Sequence, residues 1–304
     1  MNWNDSIENF KSFLILERNL SPNSVDAYLN DIHKMSNFCA DKFGVQSPEG
    51  VKPEMLNEFL NDLGVAGVTS RTQARSISSI RSFFKYLNFD GVIDTNPSKL
   101  LETPKIGRKL PTILTTEEVD AIENAVEMFK PEGQRNRAMI EMLFSCGLRV
   151  SELIGLKISN INFRTNLVKI EGKGNKERLI PLSHKAKSEL KKYFAQYRDY
   201  LEIEDEFRDI VFLNKHGKSL SRVMVFNIIK HLAERANIKK QISPHTFRHS
   251  FASVLVQGGA DLRAVQEMLG HESILTTEIY TYLDNSHLKE TIYKYHPRAS
   301  KENK

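Results

Sequence analysis

Over the first ninety positions, apolar residues recur at the three-and-four spacing of amphipathic helices. Trp3, Ile7, Phe10, Phe13, Leu14 and Leu20 share one side of a helix from residue 3 to 20, with charges on the other side. Ser21 followed by Pro22 is a start signal, an N-cap and then proline at the first helical position. Val25, Tyr28, Leu29, Ile32, Met35 and Phe38 continue the stripe behind it. A third helix starts at Pro53 and turns Met55, Leu56, Phe59, Leu60 and Leu63 inward. A fourth runs from about Ser70 to Asn88, with Ile77, Ile80, Phe83, Phe84 and Leu87 inward. Its outer face is then Arg71, Thr72, Arg75, Ser78, Ser79 and Arg81. Four helices with short connections predict a small bundle over residues 1–102.

Residues 103–111 have no period and hold two prolines, a glycine and the cations Lys105, Arg108 and Lys109, which is the composition of a basic linker. Beyond it, Thr115, Thr116 and Glu118 open a helix, and 137–144 reads as a buried helix stopped by Gly147. The period then changes. Val168 and Ile170 alternate with Lys169, 179–182 is a second apolar run, and Gly172-Lys173-Gly174-Asn175-Lys176 between them is turn-forming, so a β-hairpin is expected. Helical patterns return near His184 and continue to the end, apart from a short strand at 211–213. Residues 112–304 therefore read as a mainly helical domain with a small antiparallel sheet, making the chain a two-domain, mainly α protein.

Composition sharpens this modestly. A chain of 304 residues exceeds what a single core usually serves. Lys plus Arg number 43 against 38 Asp plus Glu, a net charge of +5 that leans towards a polyanionic partner. Two distant cysteines, Cys39 and Cys146, do not make a disulfide scaffold, and a reducing cytoplasm is the simpler setting. There is no signal-peptide pattern at the N-terminus and no apolar run long enough for a membrane span. A cytoplasmic protein without membrane insertion is expected.

The Arg, Ser and Thr face of the fourth helix offers the donors that phosphate backbones accept. Taken alone, an ordinary solvated face explains it as readily. Ser243-Pro244-His245-Thr246-Phe247-Arg248-His249 starts a helix whose core face is Phe247, Phe251, Val254 and Leu255. His245 and Arg248 then share another face near the N-terminus, suited either to phosphate or to simple capping. Asp261 opens the next helix with Leu262, Val265 and Leu269 inward, Gly270 caps it, and His271 follows. Nine positions later stands Tyr280. His245 and His249 have the spacing of a zinc helix, but Thr246 stands where a metalloprotease carries glutamate, and no metal site or cofactor is expected.

The segments Gly147-Leu148-Arg149-Val150-Ser151-Glu152-Leu153, His245-Thr246-Phe247-Arg248-His249-Ser250, Leu269-Gly270-His271 and Tyr280, in that order, resemble the signature of the tyrosine recombinase and integrase family. The ending His296-Pro297-Arg298-Ala299 is similar to its Xer branch, more on the XerD-like than the XerC-like side. The resemblance spans essentially the whole chain. It implies the tyrosine recombinase fold, with 1–102 as an N-terminal core-binding, SAM-like domain and 112–304 as the catalytic domain ending in an exchange helix near 287–295. It implies catalytic roles for Arg149, Lys173, His245, Arg248, His271 and Tyr280. The arginines would clamp the scissile phosphate, Tyr280 would attack it, Lys173 would protonate the leaving oxygen, and the histidines would assist. Glu152 reads as an orienting partner rather than an acid. DNA contacts are expected from Arg71, Thr72, Arg75, Ser78, Ser79, Arg81, Lys105, Arg108 and Lys109.

The resemblance further implies a clamp on duplex DNA, and a homo- or hetero-tetramer with a paralogous recombinase that exchanges strands through a Holliday junction. Chromosome-dimer resolution at cell division is the expected role, with a septal DNA translocase as a candidate activator. Integration of a mobile element, whose enzymes commonly add an arm-binding domain ahead of the bundle, is the alternative within the enzyme class. A catalytically silent DNA-binding accessory protein is the alternative outside it.

Overall fold

The computed structural model describes residues 1–104, 112–172, 177–270 and 286–298. The chain divides into two compact units, residues 1–109 and 110–304.

Unit one contains α1 (Trp3–Leu16), α2 (Pro22–Phe43), α3 (Pro53–Val65) and α4 (Ser70–Phe89). The apolar stripes meet in one core, with Phe10, Ile32, Met35, Leu56, Ile80, Phe83, Phe84 and Leu87 fully buried. Helix α1 stops one turn short of the expected Leu20. Asn19 adopts a positive φ of 45°, and the Leu20 amide turns back to the Leu14 carbonyl, so Leu20 packs from outside the helix. Helix α2 begins at Pro22 behind Ser21 and ends at Gly44 in the left-handed conformation.

On α4 the expected polar face divides. Ser79 is fully buried, not outward, because its hydroxyl donates to the Asp31 carboxylate of α2 at 2.8 Å. Ser76 donates to the other oxygen at 3.0 Å, and Arg75 pairs with Asp31 at 2.9 Å while also donating to the Ala27 carbonyl. A buried carboxylate needs such donors, and α4 supplies them to it. Arg71 and Ser78 are exposed and Thr72 is half-buried. Arg81 is exposed, but its guanidinium donates to the Leu101 carbonyl and the Thr103 hydroxyl. Lys105, Arg108 and Lys109 lie outside the described residues.

Unit two is built on α6 (Gly133–Cys146), whose last nine residues are all buried. Before it stands α5 (Thr116–Asn124), started by a capping box in which Thr115 and Glu118 satisfy each other's backbone amides. After it come α7 (Val150–Ile154) and an antiparallel sheet of β1 (Ile161–Asn162), β2 (Leu167–Glu171) and β3 (Glu177–Pro181) in the order β1-β2-β3. Val168 faces Ile180 and Glu171 faces Glu177, so β2 and β3 pair antiparallel as the hairpin expectation requires, while residues 173–176 lie outside the described residues. Next are α8 (His184–Gln196), α9 (Arg222–Arg235), α10 (Pro244–Gln257), α11 (Leu262–Leu269) and α12 (Ser286–Tyr295).

Two expectations change here, and a third element is seen only within the single chain. Val211, Phe212 and Leu213 are fully buried but form no strand, only isolated bridges at Ile210 with Lys157 and Leu213 with Ser219. Leu262 points outward, 62% exposed, and the inward side of α11 is Ala264, Val265, Met268 and Leu269. Ile292 of α12 is fully buried against Phe251, Leu255 and Val265 of its own unit, and the Tyr293 hydroxyl accepts from Asn166 at 3.3 Å. In the single chain this stripe covers its own domain, and the exchange-helix expectation, which concerns a neighbouring subunit, is a separate proposal.

Candidate functional site: a phosphate-binding arginine pair

Helix α6 ends at Gly147 with φ +58°. A Cβ there would lie 2.5 Å from the Phe251 ring of α10, so only glycine allows α6 and α10 this approach. The turn delivers Arg149 to the N-cap of α7, and Glu152 three residues later accepts the Arg149 amide at 2.8 Å and its Nη1 at 2.7 Å. Arg149 Nη2 reaches the Gly270 carbonyl at 3.2 Å, past the end of α11.

On α10, the proline-initiated helix places Arg248 on a buried face beside Phe247 and leaves His245 and His249 exposed. Arg248 Nη1 donates to the Gly147 carbonyl at 2.8 Å and Nη2 donates to the Leu269 carbonyl. Two arginines separated by 99 positions, by the difference of their numbers, are thereby tied to the same two chain turns, at 147–149 and 269–270. Each guanidinium has five N–H donors, and among the described residues each uses two nitrogens on protein acceptors. What remains suits a tetrahedral oxyanion.

The electrostatics agree. Burial, then the neighbouring Arg149 charge, push the Arg248 guanidinium down to about 10, still fully protonated at neutral pH. Partial burial of its ring, with the charges of His249, Arg248 and Arg149, holds His245 below the usual imidazole value, leaving it neutral and able to accept a proton at pH 7. Burial pushes the Glu152 carboxyl up, but hydrogen bonds and charge from Arg178, then from Arg149, outweigh it and keep it below the carboxylate norm. Glu152 is therefore ionised and positions rather than protonates.

The sequence missed Arg178. Its Nη1 and Nη2 donate to the two Glu152 oxygens at 2.9 and 2.8 Å, and its Nε donates to the Met268 carbonyl at 2.8 Å. The available signal was an arginine at an inward position of β3, on the same face as buried Ile180. Lys173, His271 and Tyr280 lie outside the described residues. Among the described residues, no group of three His, Cys, Asp or Glu side chains could hold a metal ion, and no helix is long and apolar enough to cross a membrane.

Comparison with known proteins places this geometry. A model of the phage integrase family matches residues 112–287, and one of the phage integrase N-terminal SAM-like domain matches residues 7–90. The chain belongs to the phage integrase family of tyrosine recombinases. It is 42% identical over 300 residues to the tyrosine recombinase XerD of Chlorobaculum tepidum, covering 98% of each chain. It is 42% identical over 294 residues to XerD of Oceanobacillus iheyensis, covering 97% of this chain and 99% of the relative. Among solved structures it resembles the XerH site-specific recombinase bound to a palindromic difH substrate in a post-cleavage complex. That match has a TM-score of 0.69 and 26% identity, and covers 91% of this chain and 81% of that one. A lambda integrase dimer on a core site shares the fold at a TM-score of 0.71 and 18% identity, covering 90% and 96% of the two chains. The protein is thus a XerD-like, tyrosine-type site-specific recombinase, with a SAM-like N-terminal domain and a mainly helical catalytic domain.

Proposed function

We propose that this recombinase cleaves and rejoins duplex DNA at one phosphate held between Arg149 and Arg248, with Tyr280 as nucleophile. The observation that carries the proposal is the convergence of the two guanidiniums on the turns at 147–149 and 269–270, with Glu152 beneath them. Arginine pairs bidentately with phosphate and opposes the charge that grows in a pentavalent transition state, which lysine would do poorly. The Tyr280 oxygen bonds to phosphorus as the bond to the 5′-oxygen breaks, giving a 3′-phosphotyrosyl link. Neutral His245 takes the phenolic proton, Lys173 delivers one to the departing 5′-oxygen, and His271 donates to the phosphate. The bond is conserved through the exchange, so rejoining needs no ATP.

The site would act in a tetramer on two DNA sites, of one chain or of two paralogous ones, passing through a Holliday junction. The XerD-named relatives support a role in resolving chromosome dimers at cell division, and a septal translocase as its activator belongs to the same reading. In unit one, exposed Arg71 and Ser78 and half-buried Thr72, with Lys105, Arg108 and Lys109 of the linker, would contact the DNA backbone.

Suicide substrates nicked near the cleavage position test the assignment. Wild type and Tyr282→Phe should trap a covalent protein–DNA adduct, and Tyr280→Phe should not. Two residues apart on a helix, the tyrosines would point roughly 200° apart. An adduct that peptide mass maps to Tyr282 overturns the nucleophile.

A further inference from the structure

Glu152 sits among three guanidiniums. Arg149 and Arg178 bond it directly, and Arg248 approaches to 4.0 Å. One negative charge among three positive ones leaves two. Arg178 saturates the carboxylate: with the Arg149 amide and Nη1, its fork brings four hydrogen bonds to the two oxygens, all that a carboxylate accepts. Of the two arginines that bond Glu152 directly, Arg178 is the less exposed, its side chain 10% exposed against 35% for Arg149.

From the positions of these groups we propose that Arg178 is a positioning residue for DNA cleavage, which neutralises Glu152 so that the charges of Arg149 and Arg248 remain available to the phosphate. The inference rests on the phosphate-clamp reading above. A lone Glu152 would do two things at once, orient Arg149 and cancel its charge. With Arg178 holding both oxygens, Glu152 orients Arg149 through one nitrogen while its charge is met from the side of the sheet.

The same side chain carries a second tether. Its Nε bond to Met268 and its contact with Gly270, where an added Cβ would lie 3.1 Å from Arg178 Cδ, fix the end of α11 whose next carbonyls receive Arg248 and Arg149. Arg178 stands in the second position of β3, opposite Ile170 of β2. One residue therefore joins the hairpin, the anchor carboxylate and the turn at 269–270.

The test uses single-turnover cleavage of a nicked suicide substrate at saturating full-length protein, with DNA Kd and Tm measured alongside. Arg178→Gln should slow cleavage by about thirtyfold or more while DNA Kd stays within about threefold, because many phosphates share the binding affinity. Removing the orphaned charge in Arg178→Gln/Glu152→Gln should recover about fivefold or more of that rate, a coupling that mere loss of packing would not produce. Cleavage by Arg178→Gln within about threefold of wild type, or a double variant no faster than the single one, overturns the proposal. If Arg178→Gln does not fold, Arg178→Lys decides. It keeps the charge but loses the fork and should cleave about tenfold slower with unchanged Kd, and wild-type cleavage by it overturns the proposal. Arg149→Ala run in parallel separates the two readings. If it is inactive while Arg178→Gln is normal, only the Arg178 role fails; if it cleaves normally, the phosphate clamp itself fails.

Discussion

Asp31 in the N-terminal unit and Glu152 in the catalytic unit are both buried carboxylates, and their surroundings differ in one respect. Asp31 is met by two serine hydroxyls and one arginine, so the charges cancel and the cluster ties α2 to α4. Glu152 is met by three arginines, which leaves positive charge over. A helix bundle needs only to satisfy its buried group. A site that holds a phosphate must satisfy its anchor and still present charge. The difference in donor type therefore separates a cluster that holds the fold from one that, on the phosphate-clamp proposal, faces a substrate.

The strongest way to break this comparison is Glu152→Ala. It leaves Arg178 and Arg149 without their counter-charge, and should cost about 3–5 kcal/mol of stability in the catalytic unit, read as a lowered denaturation midpoint. Unchanged stability would mean that the arginines do not depend on this anchor. Next, Arg149→Ala or Arg248→Ala should lower cleavage by about a hundredfold to a thousandfold while duplex affinity stays within about tenfold, since each arginine acts mainly on the transition state. Near-normal recombination by either variant would remove it from the clamp.

Asp31→Asn should cost only about 1–3 kcal/mol, confined to the N-terminal unit, with the cleavage rate of DNA-bound protein unchanged. A fall in that rate would show that the Asp31 cluster does more than hold helices together. The smallest effect concerns pH. Because Glu152 titrates below its ordinary value of 4.5 in the folded protein, its contribution to stability is present above that value and is lost as pH falls through the lower folded one. Melting curves from about pH 6 to about pH 3 should fall less steeply for Glu152→Gln than for wild type. Identical slopes would contradict the assignment of Glu152 as an ionised anchor.

Local rules made much of this molecule legible in its sequence. Ser21-Pro22, the Thr115–Glu118 box, Gly147 and Gly270 are start and stop signals that act over a few residues, and the helices begin or end at them. The hairpin followed from alternation and a glycine-rich turn, and motif order placed Arg149, His245 and Arg248 in the candidate site. Periodicity reports which side of an element is apolar, but it cannot name a partner. Ser79 read as outward because serine is polar, yet Asp31, 48 positions away, draws it inside. Arg178 meets Glu152 across 26 positions and Met268 across 90, and Arg149 meets Gly270 across 121. The packing of Ile292 onto its own unit and the strandless burial of 211–213 were equally out of reach of local pattern. The sequence by itself determined where most elements lie and which residues are candidates for the chemistry, because start signals, stop signals and motifs depend on neighbours a few positions apart. Only the tertiary structure decided which charges cancel and which remain, because that depends on carboxylates and guanidiniums brought together from distant parts of the chain.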